Sequence, residues 1–157
     1  MAIEKARNHL GQWHVEHKIQ ELEESSATVE LAALALGCEP ARIAKSLSFL
    51  VNDSAILIVA AGDAKIDNAK YKAVFGTKAK MLGKDNVEAM IGHDVGGVCP
   101  FGVNEGVVIY LDESLKRFTT VFPACGSSNS AIEVTISELE TYTPYEEWID
   151  VCKGWKD

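Results

Sequence analysis

A chain of 157 residues with 47% hydrophobic and 24% charged residues can bury a core without disulfide or metal staples. No apolar run in it approaches the ~20 residues that cross a bilayer, and the charged N-terminus, Met1 to Arg7, does not read as a secretory signal, so a cytoplasmic protein without a membrane partner is expected. The formal net charge of −8 argues against a free-standing nucleic-acid binder, and Cys38, Cys99, Cys125 and Cys152 form no C-x-x-C pair, which argues against a zinc knuckle or a dense disulfide framework.

Ile3, Ala6, Arg7 and Leu10 recur at helical spacing and predict an amphipathic helix ending near Gly11. Trp13, Val15, His17 and Ile19 then alternate with His14, Glu16, Lys18 and Gln20, which predicts a half-buried strand with His17 on the core side. Three residues apart on a strand, His14 and His17 face opposite ways, so no metal site is expected there. Thr28 is placed to cap a helix over Val29–Leu36 stopped by Gly37, and Pro40 suits the first turn of a short helix over 40–44. Lys45 and Ser46 lead into an apolar strand at 47–51. Asn52-Asp53-Ser54 is turn chemistry, and 55–60 is a second apolar strand, the pair forming a hairpin at the centre of a sheet.

Helices are expected over 67–75, closed by Gly76, and over Lys84–Ile91, closed by Gly92, with a short strand at 78–82 between them. A glycine-rich loop follows, then a strand at 107–111, a single turn over 113–116 capped by Asp112, and strands at 119–122 and 131–136. Ser137-Glu138-Leu139-Glu140 and Thr143-Pro144-Tyr145-Glu146 each match a capping box and predict two short terminal helices. Nothing in the chain reads as a repeat or a linker. The expected architecture is one mixed α/β domain over residues 1–157 with a sheet of six or seven strands.

Three features fall at strand ends. Lys45 directly precedes the buried hairpin, so its amine is expected at the sheet rim, where it either snorkels or holds a phosphate or a carbonyl. Gly96-Gly97-Val98-Cys99-Pro100-Phe101-Gly102 packs three glycines and a proline into seven residues, a loop whose backbone N–H groups approach a ligand with no Cβ in the way or that simply reverses the chain. A second small-residue loop runs from Ala124 to Asn129. The phosphate-loop motif G-x-x-x-x-G-K-[ST] and the nucleophile elbow G-x-S-x-G are absent, and the glycine loop precedes a strand where a dinucleotide loop precedes a helix. Cys99 and His93 can be drawn as nucleophile and base, although six positions across glycines say nothing about distance. Lys65, Lys70, Lys72, Lys78, Lys80 and Lys84 face a single acid, Asp67, in the same stretch, a basic segment able to steer a phosphate backbone to one face.

With those residues placed, the chain resembles the YbaK/ProX family, free-standing relatives of the editing domain inserted in bacterial prolyl-tRNA synthetases. The resemblance is carried by Thr28-Val29-Glu30-Leu31-Ala32-Ala33 with Gly37, Ile43-Ala44-Lys45-Ser46-Leu47, Val59-Ala60-Ala61-Gly62-Asp63, the 96–102 loop, Val108-Ile109-Tyr110-Leu111-Asp112, Ala124-Cys125-Gly126 and Ile136-Ser137-Glu138-Leu139, in order over about residues 28–140. It implies a mixed, partly closed sheet flanked by helices, and a deacylase that hydrolyses the ester of a mischarged tRNA, proline tRNA carrying alanine, cysteine, serine or threonine, with no cofactor. By the same resemblance Lys45 is the key polar residue and the backbone of Gly97, Val98 and Cys99 supplies oxyanion donors. Ser46, Gly96, Pro100, Phe101, Gly102, Ala124 and Gly126 then line the substrate. Relatives carry serine or alanine where this chain has Cys99, so Cys99 is given no covalent role. The partners implied are the acceptor end of the tRNA, met by the six lysines, and a synthetase or elongation factor that aids delivery. A non-catalytic module that binds tRNA ends or nucleotides, and a hydrolase working through Cys99, are the competing readings.

Overall fold

The computed structural model describes residues 2–155; Met1, Lys156 and Asp157, which the expected domain includes, lie outside the described residues. The organising element is a hairpin of two long strands, β2 (Ile43–Val51) and β3 (Ser54–Ala61), paired antiparallel from Ala44↔Ala61 to Val51↔Ser54. Asn52 and Asp53 turn it with left-handed backbones, φ 48° and 67°, the two-residue geometry that matches strand twist and that Asn and Asp tolerate best among non-glycine residues. Residues 55–61 are all buried, as a continuous apolar run requires of a strand covered on both faces.

Around this hairpin the sheet grows by parallel pairing. β5 (Val108–Asp112) lies beside β3, β9 (Tyr145–Ile149) beside β5, and β6 (Thr120–Pro123) beside β2, while β8 (Val134–Thr135) closes the other edge antiparallel to β6. The result is a curled six-stranded mixed sheet in the order β8-β6-β2-β3-β5-β9, with the hairpin at its centre. Two short pairs sit outside it: β1 (Gln20–Glu21) with β7 (Ser130–Ala131), and β4 (Lys65–Ile66) with β10 (Cys152–Lys153).

Helices flank the sheet. α1 (Ala2–Leu10) buries Ile3, Ala6 and Leu10, while α2 (Val29–Leu36) is capped by the Thr28 hydroxyl and lays Ala32 and Ala33 on Ile43 and Phe122. α3 (Asn68–Phe75) is capped by Asp67 and buries Tyr71 between Phe49 and Phe75, with ring centroids 5.2 and 4.6 Å away. α4 (Lys84–Ile91) buries Val87 and Ile91, and α5 (Ile136–Tyr142) buries Leu139 and Tyr142. None of the helices among the described residues is long and apolar enough to cross a membrane.

Six sequence expectations are corrected here. The stretch expected as a strand at 13–20 is two short 3-10 turns, Gly11–Trp13 and Glu16–Lys18, with strand geometry only from Gln20. His14 takes a left-handed backbone between them, and Trp13 packs against His9 and Tyr142 on α1 and α5, so its burial comes from helices rather than from a pleat. His17 is exposed instead of facing the core. The helix expected at 143–146 is β9, whose Tyr145, Trp148 and Ile149 suit a strand and whose backbone satisfies the free edge of β5. The 131–136 strand is interrupted at Ile132 and Glu133, and α5 is capped two residues earlier than its motif suggested, through a reciprocal Thr135–Glu138 box. At 78–82 the chain makes only a bridge, Phe49↔Met81, with Leu50 N–H donating to Lys80 O and Leu82 N–H to Ser48 O.

Candidate functional site

Lys45 lies inside β2, which starts at Ile43, rather than ahead of it. Residues two apart on a strand share a face, so Lys45 lies beyond Ile43, which is buried under α2. Its ammonium donates to the Gly62 carbonyl at 3.3 Å and to the Ala64 carbonyl, both in the turn after β3. Burial lowers the Lys45 pKa from its ordinary 10.5, against smaller raising effects of the Asp63 and Glu30 carboxylates.

Beside Lys45 is a cavity of about 110 Å³. Its roof is the start of α2, with Thr28, Val29 and Ala32; its apolar floor is Ile43 and Phe122. One side is the 3-10 turn Val95–Gly97 with Val98, and the other is Ala124, Ser130 and Ala131. Ser46 also lines it, and the Ser46 hydroxyl is buried without a hydrogen-bond partner in the protein. Ser130 is fully buried and accepts from the Ser127 hydroxyl at 2.7 Å, which ties the second small-residue loop to this wall.

The two loops are in direct backbone contact. A Cβ on Gly97 would fall 2.5 Å from the Gly126 carbonyl carbon and would also strike the Ser127 amide, so only glycine lets the loops close on one another. Gly97 is thus a packing glycine, and its N–H is committed to the Asp94 carbonyl at 2.9 Å.

Of the sequence-predicted residues, the structure gathers Lys45, Ser46, Gly96, Val98 and Ala124 at the cavity, with Gly97 and Gly126 behind its wall. Cys99, Pro100 and Phe101 are buried and do not line it; Gly102 packs against the Lys5 backbone of α1. Sequence reasoning missed the roof and floor. Thr28 read only as a helix cap and Phe122 only as a strand residue, because nothing local says that α2 folds over β2 and β6.

Cys99 and His93 do meet. Cys99 Sγ is 3.5 Å from His93 Nε2, and both residues are fully buried. Nε2 also lies 2.7 Å from the Phe101 carbonyl oxygen, which can only accept, so Nε2 carries the proton and has no lone pair for a thiol. Burial pushes the Cys99 thiol up to about 12 and holds the His93 pKa down. The contact is a buried hydrogen-bonded cluster that anchors the loop, not a nucleophile and its base. All four cysteines are free thiols, and among the described residues no group of three or more His, Cys, Asp or Glu side chains is placed to hold a metal ion.

The basic stretch is not uniformly free. Lys70 is committed to Asp150 at 3.1 Å and to the Cys152 carbonyl at 3.0 Å, whereas Lys65, Lys72, Lys78, Lys80 and Lys84 are exposed.

The sequence profile of the aminoacyl-tRNA editing domain matches residues 23–142. The chain is 55% identical to the uncharacterized protein YwhH of Bacillus subtilis (strain 168) over 157 residues, 99% of this chain and 100% of that one. It is 28% identical over 122 residues to EbsC of Enterococcus faecalis, a candidate Cys-tRNA(Pro)/Cys-tRNA(Cys) deacylase, covering 76% of this chain and 74% of EbsC. A crystal structure of a candidate trans-editing enzyme for prolyl-tRNA synthetase superposes with a TM-score of 0.86 at 29% identity, covering 98% of both chains. The profile match spans Lys45, both small-residue loops and every wall of the cavity, and the chain belongs to the aminoacyl-tRNA editing domain family.

Proposed function

We propose that this protein is a trans-acting deacylase that hydrolyses the ester between a wrong, small amino acid and its tRNA, with proline tRNA carrying alanine, cysteine, serine or threonine as the substrate class. The observation that carries this reading is the state of Lys45. An ammonium has three donors, and the Gly62 and Ala64 carbonyls take two of them. The third is left for an ester oxygen at the cavity, where the partial burial of the ammonium strengthens the interaction.

An aminoacyl ester is already activated, so the site has to orient the ester and a water and to stabilise the developing oxyanion. Lys45 serves the oxyanion. With the Gly97 N–H committed to Asp94, the second donor assigned here is the Val98 N–H, which the hydrogen bonds of the described residues leave uncommitted beside the cavity. The neighbouring ribose hydroxyl of the substrate assists by holding the attacking water, and no protein nucleophile takes part. The cavity explains the size class: about 110 Å³ is less than the ~150 Å³ that holds a benzene molecule, so it takes a side chain of a few heavy atoms.

Delivery of the acceptor end is assigned to the exposed Lys65, Lys72, Lys78, Lys80 and Lys84. On a chain of net charge −8 this patch binds tRNA weakly, which leaves room for a synthetase or elongation factor as a helper in the cytoplasm. The test is turnover: wild-type protein incubated with Ala-, Cys-, Ser-, Thr- and Pro-tRNA is expected to release at least one of the first four amino acids. Tight tRNA binding with no release of any amino acid contradicts the reading and makes the protein a binding module.

A further inference from the structure

The Lys45 ammonium is aimed by the turn at residues 62–64, and that turn is held from outside the cavity. Arg117, at the end of the 3-10 turn Glu113–Arg117, forks onto Asp63 with N–H···O distances of 3.0 and 2.6 Å. The rest of its guanidinium is also fixed, donating to the Ser114 carbonyl at 2.9 Å and the Trp155 carbonyl at 3.1 Å. Deeper in, the Ala61 N–H donates to the Ser114 hydroxyl at 3.1 Å, and the fully buried Asp112 accepts from the backbone of Ser114 and of Val151, each at 3.0 Å. From the other side, Gly62 packs so tightly that a Cβ there would strike the Pro40 carbonyl and come within 2.8 Å of a Val29 methyl. The carbonyls that hold Lys45 therefore belong to a segment clamped between the start of α2 and the Arg117 fork.

We propose that the Arg117–Asp63 fork, backed by Ser114 and Asp112, is the positioning device that sets the Lys45 ammonium against the ester, an inference that rests on the role given to Lys45 above. Neither Arg117 nor Asp63 lines the cavity, so both act through the 62–64 turn and not on the substrate. The bond type suits the task. A bidentate guanidinium–carboxylate pair fixes orientation as well as distance, which a lysine in the same place does not. The Arg117 fork is the leading reason that the Asp63 carboxyl sits below its ordinary pKa. The charged groups that act on Lys45 are Asp63 in the turn, Glu30 on α2 and Lys65 on β4, while the nearby Cys152 thiol on β10, pushed up to about 12, is neutral where Lys45 titrates; Arg117→Lys changes none of them and keeps its own charge. That substitution isolates geometry from electrostatics.

The experiment uses the full chain with ¹³Cε-labelled lysine, the Lys45 signal being assigned with Lys45→Arg. In Arg117→Lys and in Arg117→Gln the Lys45 titration is expected to move toward the ordinary lysine value of 10.5 as water enters the loosened turn. Deacylation is expected to lose about 10- to 100-fold in kcat with KM unchanged. Asp63→Asn should show the same kcat loss, and the Arg117→Lys/Asp63→Asn double variant should be no worse than either, since one link is broken in all three. An Arg117→Lys protein whose Lys45 titration and kcat both match wild type overturns the inference, even where its melting temperature has fallen, because a merely structural pair lowers stability without moving Lys45. A wild-type protein that turns over no ester overturns the reading of function instead, and the Lys45 titration then still decides whether the fork holds the ammonium.

Discussion

Cys99 Sγ and His93 Nε2 lie 3.5 Å apart, yet the His93 proton is spent on the Phe101 carbonyl 2.7 Å away, so the pair is a buried strut behind the cavity wall. Replacing the thiol therefore leaves chemistry intact. Cys99→Ala is expected to keep deacylation within about threefold of wild type while losing roughly 1 kcal/mol of stability from the small void. Iodoacetamide under native conditions is expected to label Cys38, the one partly exposed thiol, and to spare the three buried ones. Peptide mapping after labelling, alongside turnover, checks both; rapid inactivation that Cys99→Ala prevents contradicts them.

Gly97 separates from Gly96 in the same assay. A methyl on Gly97 meets backbone on the facing loop, whereas one on Gly96 meets the Ser128 side-chain carbon at 3.1 Å and the Ala27 methyl at 3.4 Å. Gly97→Ala is expected to cost about 1–3 kcal/mol by forcing the loops apart, and to abolish turnover with them. Gly96→Ala should cost less than half of that. Denaturant melts of the two variants give the comparison, and equal stabilities would remove the loop-contact argument.

What the sequence made legible was local. Thr28, Val29–Leu36 and Gly37 spell a capped helix, and that helix forms as read, because cap, propensity and stop all lie within ten residues. The hairpin likewise follows from two apolar runs around Asn52-Asp53. The misses are places where a partner far along the chain decides. Thr143 to Glu146 carries a helix-like start signal, but the chain from Tyr145 to Ile149 lies against β5, whose edge would otherwise be open, and Trp13 finds its partners on α1 and α5. The site shows the same division. Lys45 and the two glycine loops stand out in the sequence, while the roof from α2, the floor at Phe122 and the Arg117 fork exist only once β2, β3 and β6 are assembled.

Ala32 sits in the roof of the cavity, so on the proposed function it sets the room available to the aminoacyl side chain. Ala32→Leu adds three carbons there and should exclude threonine before alanine. The expected result is a fall in kcat/KM for Thr-tRNA about 10-fold or more beyond the fall for Ala-tRNA, in line with ~1–3 kcal/mol per methylene in a tight pocket. Equal losses for both esters would mean that the side chain lies elsewhere.

The depressed pKa of Lys45 fixes the sign of the pH dependence. In the proposed mechanism the ammonium is the active form, and burial makes it lose its proton at a lower pH than an exposed lysine with its value of 10.5. After subtraction of uncatalysed ester hydrolysis, kcat/KM should therefore fall as pH rises through the Lys45 pKa, below 10.5. Any activity left in Lys45→Arg should lack that limb, since a guanidinium keeps its proton. A wild-type profile with no alkaline limb below 10.5 contradicts the assignment.

The most direct test of the account is the deacylation of Ala-, Cys-, Ser-, Thr- and Pro-tRNA by wild-type and Lys45→Ala protein side by side. The wild type is expected to release at least one of the first four amino acids, and Lys45→Ala, with its circular dichroism unchanged, to be slower by about 100- to 1,000-fold, the loss typical of removing one oxyanion donor. Full turnover by Lys45→Ala would contradict it.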